Sequence, residues 1–243
     1  MPERLYTEYP ELYDAIQSDW EYDRDVAFVL EALDRHGIEG RSLLELGCGT
    51  GQHTHRFEAE GFDVTAVDRY AGMLERAAAR CNADLRREVL PDISIDQTFD
   101  IVVAIRGVVN HLPPEALEPT LQAVADHLEE GGLFVFDNSP LPRDGNAAGL
   151  DVGETAHGEY ARIAQMQHRS DGRLEWVSAT FLSSGEWFIN RRPMTPFSDR
   201  TVAATLSRCG FAVHIHHGFG PEDDRSEHGR SEDDRTVFVA VDR

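Results

Sequence analysis

Lysine is absent from this 243-residue chain. All 23 basic side chains are therefore arginine, set against 44 acids, and the formal net charge is -21. A surface of that sign repels phosphate backbones and anionic lipid, so neither nucleic acid nor a membrane is an expected partner. Cysteine is scarce: Cys48, Cys81 and Cys209 are odd in number, far apart and lack a CxxC pair. Such thiols form neither a disulfide framework nor a zinc site, and they read as small core residues in a reducing compartment. There is no long uncharged apolar run, and the opening MPERLYTEYP lacks the apolar stretch of a signal peptide. The expectation is a cytoplasmic protein with no bound metal.

What is present in excess, acid, is spread along the whole chain instead of gathered at one site. Molar salt shortens the Debye length to about 3 Å and removes most of the self-repulsion of such a surface. An acid-rich, lysine-free composition resembles that of proteins from salt-accumulating halophilic archaea.

The length suits a single α/β domain with a core of its own. Residues 22–36, YDRDVAFVLEALDRH, place Val26, Val29, Leu30 and Leu33 on one helical face, and Gly37 ends the run. RSLLELG, FDVTAVD, FDIVVAI and LFVFD are buried-strand patterns, separated by helical stretches such as 116–130, which Gly131 and Gly132 close. This alternation predicts a doubly wound, mostly parallel α/β sheet. Within 155–195 the pattern changes to three strands joined by tight glycine turns, a small antiparallel insertion. Residues 196–243 return to a helix and two strands, around a charged block at 220–235 that reads as a solvated loop. His53 and His55 read as surface residues, and His214 and His216 as an exposed strand face. Trp176, Phe181, Trp187 and Phe188 read as the insertion's own small core, with an aromatic wall for a ligand as their second reading.

The informative stretch is LLELGCGTGQHT at 43–54. Three glycines in five residues, at 47, 49 and 51, allow a tight turn out of a strand and close approach of another molecule to bare backbone. In a doubly wound sheet this turn borders the ligand crevice. A dinucleotide fingerprint needs G-x-G-x-x-G, but the third glycine position holds Gln52. ELGCGTG instead resembles the first motif of class I S-adenosylmethionine-dependent methyltransferases. The resemblance implies a Rossmann-like, seven-stranded methyltransferase fold with its cofactor core at about 20–140; the last hundred residues match more loosely. It also implies that Glu45, Gly47, Cys48, Gly49 and Gly51 border S-adenosyl-L-methionine, and that Asp68, in TAVDRYAGML, accepts the ribose hydroxyls. Arg69, Tyr70 and Met73 then lie by the adenine, and Ile105, Arg106, Asn110 and His111 in FDIVVAIRGVVNHL enter the crevice. Where the family carries Gly-Asp after its third strand, this chain has Glu88, Val89 and Leu90. The adenine contact then falls to Glu88 or to the backbone at Leu90.

The N-terminal LYDAIQSDWEYDRD is similar to a subgroup acting on small molecules, the amino-sugar and the glycine and sarcosine N-methyltransferases. There, the resemblance implies that Tyr13 covers the cofactor and that the insertion is a lid and a homodimer contact. Methyl transfer to a nitrogen or oxygen of a small molecule is the function implied, with His111, then Tyr13, as the candidate base for a hydroxyl. A protein that binds the cofactor without catalysis and a nicotinamide-dependent oxidoreductase are the alternative readings. The charge density itself predicts unfolding below roughly 1 M salt. Circular dichroism across a salt series checks this, and equal stability in dilute buffer would remove the halophile inference.

Overall fold

A computed structural model describes residues 3–142, 144–219 and 235–243. Most of the charged block, at 220–234, therefore lies outside the described residues. The chain opens with α1 (Arg4–Thr7), α2 (Pro10–Ile16) and the long α3 (Tyr22–His36), which Gly37 caps in the left-handed region. There follow β1 (Ser42–Leu46), α4 (Thr54–Ala59), β2 (Asp63–Asp68), α5 (Ala71–Ala78), β3 (Asp84–Arg87) and β4 (Phe99–Ala104). Two short 3-10 turns and α6 (Leu117–Asp126) lead to β5 (Leu128–Asn138). A run of β6 (Gly149–Thr155), β7 (Gly158–His168), β8 (Leu174–Leu182) and β9 (Trp187–Met194) precedes α7 (Asp199–Arg208), β10 (Ala212–His217) and β11 (Thr236–Val241).

Seven strands form one sheet in the order β10-β11-β5-β4-β1-β2-β3. β1 to β5 pair in parallel and β11 runs antiparallel between β5 and β10. The expected mostly parallel, doubly wound sheet is thus observed. Alternate residues of each central strand feed two different cores. Leu43, Ile101, Val103 and Val135 pack with Val29, Leu33 and Phe57 of α3 and α4 on one face. Leu44, Val102, Phe134 and Phe136 pack with Leu121 and Val124 of α6 and Val202 and Leu206 of α7 on the other. Both faces being covered explains why these strands read as unbroken apolar runs.

Two boundaries differ from expectation. α6 stops at Asp126, and residues 128–131 already belong to β5. The His127 ring lies 2.6 Å from the Ala123 carbonyl oxygen and 3.0 Å from that of Ile95, while the Phe99 N–H donates to the His127 carbonyl, so the chain enters the sheet before the two glycines. The insertion has four strands in the order β6-β7-β8-β9, not three, and extends over 149–194. Its extra strand, GLDVGET, carries two glycines and turns Leu150 and Val152 outward, so it lacks the composition of a half-buried strand. Phe181 and Trp187 lie on that outward face at 47% and 60% exposure, which corrects their reading as insertion core. Phe188 does pack inward, stacked on Tyr9 at 4.9 Å.

α1 and α2 form a cover between the insertion and the main sheet. The Thr7 carbonyl lies so close to α5 that a Cβ on Gly72 would fall 2.5 Å from its oxygen. Asp14 of α2 accepts from Thr50 after β1 (2.5 Å) and from Arg76 (3.1 Å) and Arg80 (2.8 Å) of the α5 region.

Candidate active site

Where the strand order turns back at β1 and β4, the carboxyl ends of β1, β2 and β4 border a cavity roofed by Tyr6 and Tyr13 from the cover. Its floor is the glycine loop. Gly47 (φ 69°) and Gly49 (φ 57°) are both left-handed; a Cβ on Gly47 would strike Val108 at 2.8 Å, whereas one on Gly49 would meet nothing within 4 Å. The loop therefore presents bare backbone at Gly49, beside Gly47 and Cys48, to the cavity. Gly51 serves packing instead: it does not line the cavity, and a Cβ there would be 3.0 Å from that of Ala77.

Asp68 ends β2 at the cavity wall. Its Oδ2 accepts the Gly49 N–H at 3.0 Å and its Oδ1 the Tyr70 N–H at 2.8 Å. Burial pushes its carboxyl up to about 6, while the Gly49 N–H, Arg192 and Arg69 draw it back. Arg69, Tyr70, Met73, Glu88, Val89, Leu90, Ile105, Arg106 and His111 also line the cavity. Glu45 does not. It lies behind the loop, fully enclosed, where the Thr54 hydroxyl donates to it at 2.6 Å and burial pushes it up to about 8. Burial also drives the Cys48 thiol well above its ordinary range, so it is a packing group.

Arg106 follows β4 with a left-handed backbone (φ 73°), unusual for a residue with a side chain, and Gly107 repeats the conformation. The buried carboxylate of Asp137 holds both by accepting their N–H groups. The Arg106 guanidinium stacks 4.2 Å from the Trp20 ring and donates to Tyr22 (2.8 Å) and Gln17. Its buried Nε has no partner, and no carboxylate of the described residues lies within ion-pair distance of it. Beside it sits His53, expected at the surface but 5% exposed and lining the cavity, its Nε2 3.0 Å from Asp25. A helix as short as α4 carries too few residues to reveal which side faces inward.

His111 ends a 3-10 turn after β4 with its Nδ1 buried and unpartnered. Burial first, then Arg192, Arg69 and Arg173, hold it well below its ordinary range, so it is a neutral imidazole. Asn110, expected in the crevice, turns away and donates to Asn138 (2.9 Å) and the Thr195 carbonyl (3.0 Å). Sequence reasoning missed Tyr6, Tyr22, His53 and Arg192 as lining residues; only Tyr22, beside Tyr13 in the N-terminal motif, carried any local signal. Among the described residues no cluster of side chains suits a metal, and no helix is long and apolar enough to cross a membrane.

Residues 43–132 match the family model described as a methyltransferase domain. A protein of Geobacillus sp. (strain WCH70) bearing a methyltransferase name is 30% identical over 139 residues, 54% of this chain and 56% of that one. The chain thus spans just over half the length of that relative. A dTDP-3-amino-3,6-dideoxy-alpha-D-glucopyranose N,N-dimethyltransferase of Streptomyces fradiae is 26% identical, covering 73% of this chain and 71% of its own. A glycine/sarcosine N-methyltransferase of Parasynechococcus marenigrum is 28% identical, covering 76% and 67%. The solved structure of the sugar N-methyltransferase KedS8 from Streptoalloteichus superposes with a TM-score of 0.80 at 22% identity, over 100% of this chain and 96% of that one.

Glu45 yields a test of this geometry. Its folded pKa is raised, so the stability it contributes is full below the ordinary carboxyl range and is lost as pH rises towards about 8. Between those limits it lowers stability by up to about 1.4 kcal/mol per pH unit. Denaturant titrations of Glu45→Gln from pH 5 to 9 are expected to show a shallower fall with pH than wild type; an unchanged slope would place the proton elsewhere.

Proposed function

We propose that this chain, which carries a methyltransferase domain on the S-adenosylmethionine-dependent methyltransferase fold, transfers a methyl group to a nitrogen of a small molecule. The observation that carries this reading is the pairing of an open glycine cradle at Gly47 to Gly49 with the Asp68 carboxylate at the next strand end, 3.0 Å apart through one hydrogen bond. Each Asp68 oxygen takes one main-chain N–H, and a carboxylate oxygen can accept more than one hydrogen bond, which leaves capacity for a ribose diol. Arg106 supports the other end: its guanidinium, lacking an acid partner among the described residues, suits the amino-acid carboxylate of the cofactor, with Tyr13 above. Met73 and Tyr70 supply apolar and aromatic cover for the adenine, beside Val89 and Leu90.

Bound there, S-adenosylmethionine supplies a methyl group on a positive sulfonium, open to displacement. The chain's part is alignment and exclusion of water. Nitrogen is favoured over oxygen by the surroundings of His111. A hydroxyl needs a group that can hold its proton, and an imidazole facing Arg192, Arg69 and Arg173 charges poorly. The same field disfavours an ammonium and keeps an amine in its neutral, nucleophilic form. A neutral His111 can accept a hydrogen bond from the amine and so orient its lone pair. The amino-sugar and glycine/sarcosine N-methyltransferases among the relatives support an amine acceptor. Three unpaired thiols support a cytoplasmic setting, and the acid-rich, lysine-free composition supports a halophilic source.

Calorimetry with S-adenosylhomocysteine in molar salt tests the reading. Wild type is expected to bind, Asp68→Ala to bind at least about tenfold more weakly, and His111→Ala to bind as wild type with only a mild fall in turnover on an amine panel. No uptake by folded wild type, or undiminished binding by Asp68→Ala, would overturn it.

The insertion supports a homodimer. Leu150, Val152, Ile163, Phe181 and Trp187 share its outward face, with Phe181 paired directly across from Trp187. Light scattering is expected to give twice the chain mass for wild type and the single-chain mass for Phe181→Arg/Trp187→Arg. A wild-type monomer at micromolar concentration would refute the dimer.

A further inference from the structure

A chain of buried charges leaves the cavity at His53 and returns to it at Arg106. His53 lines the cavity, and its Nε2 is 3.0 Å from Asp25, a fully buried residue of α3. The same Asp25 oxygen accepts the Trp20 indole N–H at 2.7 Å, and its other oxygen lies 3.4 Å from Nη2 of Arg235. Nη1 of Arg235 lies 4.0 Å from Asp137, equally buried near the end of β5. Asp137 in turn accepts the N–H groups of Arg106 and Gly107, and the Arg106 guanidinium comes back to the Trp20 ring at 4.2 Å. Arg235 lies over that ring too, at 4.4 Å, and over Phe219 at 4.6 Å.

One cation thus serves two buried carboxylates, and each carboxylate fixes a different piece of the cavity wall. Removing one member of a buried ion pair leaves an uncompensated charge, which a fold tolerates poorly. The piece held by Asp137 is the less able to hold itself. Arg106 carries a side chain at φ 73°, a conformation that persists only where its surroundings over-determine it. Tyr22 ties the two pieces together: its hydroxyl accepts from Arg106 at 2.8 Å and its ring lies 5.0 Å from that of His53. Arg235 does not line the cavity, and only 6% of its side chain is exposed, so it reaches a ligand solely through these neighbours. Its own main chain is fixed, since its carbonyl accepts the Gly218 N–H at 2.7 Å.

We propose that Arg235 is a positioning residue for cofactor capture: by pairing with Asp137 and Asp25 at once, it holds Arg106 where the guanidinium meets the carboxylate of S-adenosylmethionine. The inference rests on the methyltransferase reading, in which Arg106 takes the amino-acid end of the cofactor, and deepens it. Arginine suits the task because its planar fork reaches two acids while its faces stack on rings. Arg235 touches neither substrate nor cofactor. It governs affinity for the amino-acid end and leaves the adenosine end, beside Asp68, Tyr70 and Met73, to other residues.

Titration calorimetry on the full chain in molar salt tests this by comparing S-adenosylhomocysteine with methylthioadenosine, which shares the adenine, ribose and sulfur but lacks the amino-acid end. Wild type is expected to prefer S-adenosylhomocysteine by at least about tenfold. Arg235→Gln is expected to lose most of that preference while binding methylthioadenosine within about twofold of wild type, a pattern that general loosening of the fold does not produce. Arg235→Lys keeps the charge but cannot fork between two carboxylates, and is expected to retain part of the preference. Arg106→Gln is expected to lose the preference as well, and adding Arg235→Gln to it to cost nothing further. Should Arg235→Gln not fold, Asp137→Asn carries the same expectation, because it removes the charge that joins Arg235 to the Arg106 backbone. Survival of the full preference in these variants, an equal loss of both ligands, or additive losses in the double variant would overturn the assignment. So would absence of the preference in wild type. Failure of folded wild type to bind either ligand would instead overturn the parent reading.

Discussion

One carboxylate joins the two halves of the cradle. Asp68 receives the Gly49 N–H on one oxygen and the Tyr70 N–H on the other, so the loop leaving β1 and the turn leaving β2 keep a fixed separation. The glycines make that loop possible, but they do not fix it: a residue free to adopt left-handed backbone is free to leave it. Burial works against the charge on Asp68, and the Gly49 N–H, Arg192 and Arg69 offset part of that cost. The joint ties the floor of the cavity to the start of α5.

The distribution of charge has a second logic. The chain carries a net charge of -21, yet it buries arginines inside. Arg235 lies between Asp25 and Asp137 with its guanidinium over Trp20 and Phe219, Arg106 lies over Trp20, and Arg192 over Tyr6. Arginine suits these places because its charge is delocalised, weakly hydrated and able to stack on rings, whereas a buried lysine readily gives up its proton. A lysine-free composition thus concerns the interior as much as the solvent. Asp137 shows the coupling: it pairs with Arg235 and also holds the strained backbone at Arg106 and Gly107 that turns a guanidinium towards the cavity.

Much of this architecture was legible in the residue pattern. The buried strands, the glycine loop, Asp68 and the changed rhythm of the insertion are local signals, each carried by a few consecutive residues. Contributions that depend on distant elements were not. β6 has the composition of a loop and becomes a strand because β7 offers it an edge. His53 points inward because Asp25, on α3, awaits it. Arg192 reaches the cavity because the whole insertion folds over it, and nothing near residue 192 says so. Glu45 illustrates the reverse: it stands at the expected motif position, yet its carboxyl faces Thr54 instead of the cavity.

Asp14 links matters usually considered apart. Its two oxygens are shared among Thr50 in the glycine loop and Arg76 and Arg80 around α5, while Arg80 also donates to the Thr50 carbonyl. Roof and floor therefore share an ionic clasp. Whatever loosens that clasp, whether added salt, protonation or a competing cation, slackens both surfaces together, so access to the interior and its shape cannot be tuned independently.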